Sequence, residues 1–277
     1  MRTLILTAAF GAFALTAQAQ TPPAGGKPIV IGLSYAVPSA IFGVARTVNV
    51  YLPSDYADPK RSFPVLYLLD GGADEDFHHI TGLVAVDGAY GAYQEMIVIG
   101  VVTPDRHHDL TSPSTEPADH KLVPTGGGAD TFRRYLADEL KPWVAAHYRT
   151  DGHTALMGES LAGLFTLETF LTAPQDFDDY ISVSPSLWWN KQALSRDAEA
   201  DLRKGGFTGK RLWLAMEDEG PELQAPVDRV VAGLKAANAP DLQWTYDPHP
   251  TERHDTIYDP VAISALRAFY AVKKTPH

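Results

Sequence analysis

The sequence predicts an α/β protein: a mostly parallel central sheet with helices on both faces. Three observations carry that expectation. Strand-like and helix-like stretches alternate along the 277 residues with no repeat and no Pro/Gly/Ser-rich linker in the middle, the pattern that lays helices across a parallel sheet. Phe63-Pro64-Val65-Leu66-Tyr67-Leu68-Leu69 and Met96-Ile97-Val98-Ile99-Gly100-Val101-Val102 are continuously apolar, as strands covered on both faces must be. Met157-Gly158-Glu159-Ser160-Leu161-Ala162-Gly163 reads as a strand that enters a sharp turn with serine at its apex and leaves as a helix.

The elements follow in order. Pro28 to Ser34 and Thr47 to Pro53 read as strands, the second alternating apolar and polar as a partly exposed edge does. The strand at 63–69 runs into Asp70-Gly71-Gly72-Ala73, where a glycine pair lets the backbone turn and frees an amide to face a ligand. Asp74 to Asp87 is a helix with an acidic first turn, and after the strand at 96–102, Thr103 to Gly128 is a long polar loop holding Arg106, His107 and His108. Asp130 caps a helix to about Tyr148 that Pro142 must kink or divide. His153 to Met157 is the strand before the serine, and Leu161, Leu164, Phe165, Leu167 and Leu171 recur at helical spacing until Pro174. Strands at Asp179–Val183, Leu212–Met216 and Leu242–Tyr246, with helices at Glu222–Ala237 and Thr256–Val272, complete the alternation.

Arg2, the apolar run Leu4 to Leu15 and Ala17-Gln18-Ala19 have the form of an export signal cleaved after Ala19, and the run is too short to span a bilayer. Residues 20–27 would then be a flexible new terminus and 28–277 one domain of the periplasm or exterior, with no membrane insertion after cleavage. Hydrophobic residues make up 45% of the chain, enough for a sizeable core. The absence of cysteine excludes disulfides, a thiolate nucleophile and cysteine metal sites. A formal charge of −11, or −12 once Arg2 is removed, opposes nucleic acid and anionic membranes as partners.

A serine hydroxyl needs a base to take its proton and an acid to orient that base. On such a sheet the chain order is nucleophile, acid, histidine, and Ser160, the acids at 217–219 and His254 occur in that order. Of ten histidines, His249 and His254 fall between the last strand and last helix. His254 is the expected base because the helix after it fixes the loop's end. Glu219 is the expected acid, with Glu217 second. The oxyanion formed on attack requires backbone donors, and the Gly72 and Leu161 N–H groups are the candidates. Gly32-Leu33-Ser34-Tyr35-Ala36 fits the same elbow pattern, but Pro38 removes a donor where a helix would begin. The pairs His78-His79 and His107-His108, with Asp74 or Asp76, could suggest a metal, yet adjacent histidines point apart; no metal or cofactor is expected. Of Trp188 and Trp189, one is expected in the core and one on an acyl pocket, and Arg106 is a candidate substrate contact.

Leu66-Tyr67-Leu68-Leu69-Asp70-Gly71, Pro104-Asp105-Arg106 with Asp109-Leu110-Thr111, the helix Tyr135 to Tyr148, the elbow, Ser184-Pro185-Ser186-Leu187-Trp188-Trp189 and Glu252-Arg253-His254 together resemble the "putative esterase" family of α/β-hydrolases, the group containing ferric-siderophore trilactone esterases. The resemblance covers nearly all of the chain after the signal. It implies an α/β-hydrolase fold with Ser160 as nucleophile, His254 as base and the oxyanion amides after Asp70-Gly71 and at Leu161. Two positions depart from the family: Glu159 stands where a histidine or arginine is common, and Ala162 replaces the second elbow glycine. The expected role is hydrolysis of a small-molecule carboxylic ester through an acyl-enzyme. Transfer of the acyl group to an alcohol at the same site, or a silent binding protein of the same fold, are the alternatives, and the acyl and alcohol groups are left open.

Overall fold

Eight strands form one sheet: β1 (Leu33–Val37), β2 (Arg46–Tyr51), β3 (Phe63–Leu68), β4 (Ile97–Val101), β5 (Thr150–Glu159), β6 (Asp179–Val183), β7 (Arg211–Glu217) and β8 (Gln243–His249). The computed structural model describes residues 25–272. The expected signal at 1–19 lies outside them, as does most of the segment at 20–27. The compact unit begins at Ile31. The strand order is β1-β2-β4-β3-β5-β6-β7-β8; β1, β2 and β4 pair antiparallel and every other neighbouring pair is parallel.

The helices are α1 (Phe77–Ala89), α2 (Arg106–Asp109), α3 (Pro117–Leu122), α4 (Ala129–Arg134), α5 (Lys141–His147), α6 (Leu161–Thr172), α7 (Trp189–Arg203), α8 (Pro221–Ala237) and α9 (Tyr258–Phe269). Successive side chains of a strand point to opposite faces, and the core divides accordingly. Val65 and Tyr67 of β3 join Ile97, Ile99 and Leu156 against Phe132, Phe165 and Val230 from α4, α6 and α8. Leu66 and Leu68 join Val98, Met157 and Ile181 against Ile80 of α1 and Val261 and Leu266 of α9. The continuous apolar runs in β3 and β4 have that cause: both faces are covered. Among the described residues no helix is long and apolar enough to cross a membrane.

Three expectations are corrected. β2 is an interior strand, paired with β1 on one side and β4 on the other, and Asn49, one of the polar positions in its alternation, is buried and donates from Nδ2 to the Gly71 carbonyl at 2.8 Å, tying the turn after β3. The Thr103–Gly128 stretch contains α2 and α3 and is pinned to the core, where buried Arg46 pairs with buried Asp109 and lies 4.3 Å from the centre of the Phe42 ring. The expected division at Pro142 is present: α4 and α5 are separate α-helical pieces joined by Tyr135–Leu140 in π-helical geometry, and Pro142 sits in the first turn of α5, where its missing donor costs little. His249 is the last residue of β8, level with Glu217, and pairs with Asp247 at 3.0 Å. Two further differences concern helix α7, which the sequence reading lacked, and α1, which starts at Phe77 rather than Asp74.

At the end of the sheet away from Ser160, fully buried Asp179 accepts hydrogen bonds from His153 (2.7 Å), Arg211 (2.6 Å) and the Tyr270 hydroxyl (2.6 Å), which joins β5, β6, β7 and the end of α9. Burial opposes ionisation of Asp179, but these donors outweigh it and leave its pKa below the ordinary range. The hydrogen bond to Asp179 raises the His153 pKa above 6.5. Removing a charge from a buried network strands its partners, so Asp179→Asn is expected to cost about 3 kcal/mol in urea unfolding without a change in m. A raised histidine pKa contributes stability that is complete below about pH 6.5 and is lost as pH rises through the folded-state value. The drop in Tm above that pH should therefore be shallower in His153→Gln than in the wild type.

Candidate active site

Ser160 is the residue between β5 and α6, at φ +61° and ψ −118°, a conformation rare for a residue with a side chain. Its N–H donates to the Val183 carbonyl (3.0 Å), and its carbonyl accepts from Leu164 N–H (2.8 Å) and Ser186 N–H (3.1 Å). The small residues around it are dictated by close approach. A Cβ at Gly158 would stand 2.6 Å from the Ala162 Cβ, and one at Gly163 would collide with the Val183 carbonyl. The elbow therefore tolerates alanine at position 162 because glycine is kept at 158 and 163.

His254 follows β8 in a turn closed by Thr256 N–H and Ile257 N–H, which both donate to the Arg253 carbonyl. Its Nδ1 lies 2.8 Å from Glu217 Oε1 and 2.8 Å from Ser184 Oγ, and Ser184 donates to the same Glu217 oxygen at 2.7 Å. The favoured acid, Glu219, is 3.9 Å from Nδ1, beyond hydrogen-bond reach. The order of the two glutamates is thus reversed. Glu217 ends β7 with its side chain inward and fully buried, whereas Glu219 lies two residues into the exposed loop. Burial works against the Glu217 charge, yet the hydrogen bonds from His254 and Ser184 hold its pKa below the ordinary value. The bond to Glu217 in turn raises the His254 pKa above 6.5.

Ser160, Leu161, Ser184, Ser186, Trp188, Arg106, Glu219 and His254 line one cleft of about 410 Å³. Ser186 Oγ is 3.4 Å from Ser160 Oγ. The two serines of Ser184-Pro185-Ser186 were part of the family-like segment but had no assigned role, since nothing in their spacing shows that Ser184, at φ +43°, turns its hydroxyl back to the acid. Trp188 lines the cleft, and Trp189 is buried with its Nε1 donating to the Ser112 carbonyl at 2.9 Å. Beyond Trp189, Asn190, Lys191 and Gln192 are all left-handed. Their turn is fastened to α3 by Asn190 N–H on Asp119 (2.8 Å) and by a Lys191–Glu116 ion pair (2.8 Å).

Of the two expected oxyanion donors, Leu161 opens α6, where a helix's first N–H groups have no partner within the helix. Gly72 differs: its N–H donates to Glu75 Oε2 at 2.8 Å, while Glu75 N–H donates to the Gly72 carbonyl at 3.1 Å. The backbone bond closes a turn that folds the Glu75 carboxylate back onto the Gly72 N–H, so that amide is already engaged. Arg106 Nε donates to Asp70 at 2.8 Å and a guanidinium nitrogen lies 3.4 Å from the Glu159 carbonyl. Burial pushes the Glu159 carboxyl up to about 7, with His254 pulling the other way and Asp76 adding to the rise. For the histidine pairs, His79 binds Asp259 and His108 binds Asp109, while His107 faces the cleft. Among the described residues only Glu217, Glu219 and His254 bring three ligand-type atoms within 4.8 Å, and the His254 nitrogen involved is committed to Glu217 and Ser184.

The family model described as "Putative esterase" matches residues 39–242. Ferri-bacillibactin esterase BesA of Bacillus subtilis is 35% identical over 171 residues, 56% of this chain and 58% of that protein. The siderophore triacetylfusarinine C esterase of Aspergillus fumigatus is 38% identical over 179 residues, 57% of each. The chain thus spans little more than half the length of these relatives. Among solved structures, an IroE-like serine hydrolase from Shewanella oneidensis matches with a TM-score of 0.78 at 22% identity, over 86% of this chain and 80% of that one. The BES protein of Bacillus cereus gives 0.78 at 23%, over 90% and 100%. Likeness at that identity is one of fold, and with the sheet order and the serine elbow that fold is the α/β-hydrolase fold. Because the family match takes in the strands from β2 to β7 and the elbow between β5 and α6, the chain belongs to the "Putative esterase" family.

Proposed function

We propose that this chain is an exported serine esterase that hydrolyses small-molecule carboxylic esters through an acyl-enzyme on Ser160. The observation that carries the proposal is the Glu217–His254–Ser184 hydrogen-bond cluster, whose histidine shares a cleft with a strained elbow serine. With Nδ1 held by Glu217, Nε2 is the nitrogen left to take the Ser160 proton. Ser160 Oγ then attacks the ester carbonyl, and Leu161 N–H faces the negative oxygen that forms. The imidazolium, steadied by Glu217, returns the proton to the departing alkoxide and leaves an acyl-serine. Water enters, gives its proton to His254 and releases the acid, so the serine recovers its hydrogen. These steps need no cofactor. Relatives named as siderophore esterases support siderophore esters as one substrate group, and the segment at 1–19 supports export.

Ser160→Ala is expected to lower kcat on 4-nitrophenyl butyrate by a factor on the order of 10⁵–10⁶. Equal rates for that variant and the wild type would remove hydrolysis as the role. Glu217→Gln should cost on the order of 10³–10⁴ in kcat, whereas Glu219→Gln should cost at most about threefold, within the exposed ion-pair range. The reverse ranking would restore Glu219 as the acid.

Catalysis requires neutral His254, and the Glu217 hydrogen bond raises its pKa above 6.5. The rise of kcat/KM with pH should accordingly have its midpoint above 6.5 in the wild type and move to lower pH in Glu217→Gln.

A further inference from the structure

The charges around the cleft do not cancel. Among its described lining residues the acidic and basic side chains other than histidine are Arg106 and Glu219. Arg106 carries its own counter-ion, since Nε donates to buried Asp70 at 2.8 Å. The Glu217 carboxylate is fully buried, takes hydrogen bonds from His254 and Ser184, and is not among the residues that line the cleft. Glu219 has no such match: its nearest cationic partner is His254 Nδ1 at 3.9 Å, and that nitrogen already serves Glu217. Its side chain is about one-third exposed, and the cleft it lines includes the apolar side chains of Leu161, Leu187, Trp188, Met216 and Leu223. Apolar walls concentrate the field of an unpaired charge into the cleft.

We infer that the cleft selects esters whose acyl and alcohol parts carry no negative charge, and that Glu219 is the specificity-determining residue. The inference rests on the esterase reading above and narrows its substrate class to uncharged or cationic esters. A carboxylate placed about 6 Å from Glu219 in a partly screened cleft meets repulsion worth roughly tenfold in binding. Glu219 acts on the charge of the substrate and not on the proton transfers, so its effect belongs in KM.

The test is a matched series of aryl esters: 4-nitrophenyl butyrate, the 4-nitrophenyl monoester of glutaric acid with its free carboxylate, and 4-nitrophenyl 4-(trimethylammonio)butanoate. Each rate is divided by that ester's hydroxide-catalysed rate at low ionic strength. Wild type should prefer the neutral and cationic esters over the anionic one by about tenfold or more in kcat/KM, with the preference shrinking as salt rises. Glu219→Gln should narrow the ratio about fivefold, chiefly by lowering KM for the anionic ester, and Glu219→Lys should invert it. A wild-type ratio near one, or the same ratio in wild type and Glu219→Gln, overturns the inference while leaving esterase activity in place. If wild type hydrolyses none of the three faster than Ser160→Ala does, the esterase reading and the inference fall together.

Discussion

Three neighbouring strands reach the site through left-handed residues that are not glycine, and the site depends on that constraint. Asp70 (φ +49°) lies two residues beyond β3, and Ser160 (φ +61°) and Ser184 (φ +43°) immediately follow β5 and β6. Each such residue costs of order 1–3 kcal/mol and persists only where its surroundings fix it. Here they do: Asp70 is held by Arg106 and Thr103, Ser160 by the carbonyl of Val183 and the amides of Leu164 and Ser186, and Ser184 by Glu217 and His254. The reward is direction, because an extended exit would send these side chains along the strand instead of across its end.

The polar cluster beyond those exits is knit from distant parts of the chain. Glu217 lies 37 residues before His254 and 33 after Ser184, yet one of its oxygens serves both. Parallel pairing of β6 with β7 sets Val183 beside Ala215, so the two strands release Ser184 and Glu217 at nearly the same level. Buried ionised groups are tolerated only when hydrogen-bonded, and this carboxylate obtains its donors from two separate loops. The same logic appears inverted at the other end of the sheet, where Asp179 gathers His153, Arg211 and Tyr270. β6 is thereby anchored at both tips.

Much of this was legible in the residues because it rests on periodicity. The unbroken apolar runs of β3 and β4, the serine between a strand and an apolar helix, and the chain order of serine, acid and histidine all leave a linear trace. Side-chain direction does not. Glu217 and Glu219 are chemically identical and two residues apart, and only the point where β7 stops decides which of them is inside. Asn49 misled for a related reason: a polar residue in an alternating strand signals solvent unless a backbone carbonyl, here that of Gly71, takes its amide. Helix α7 was missed because it begins with three left-handed residues and has a mostly polar sequence, and Gly72 looked free because a glutamate three residues on gives no sequence sign of folding back.

The turn at Asn190, Lys191 and Gln192 sets the mechanical character of the cleft's outer wall. Each left-handed residue there is held against an intrinsic preference of about 1–2 kcal/mol, and the bonds that hold it run to α3, whose Leu122 borders the cleft. Displacing α3 breaks those bonds but lets the turn relax, so part of the loss is returned. The hold of α3 on the cleft's outer wall is consequently weaker than its hydrogen bond and ion pair taken alone, because the backbone strain they maintain is subtracted from it.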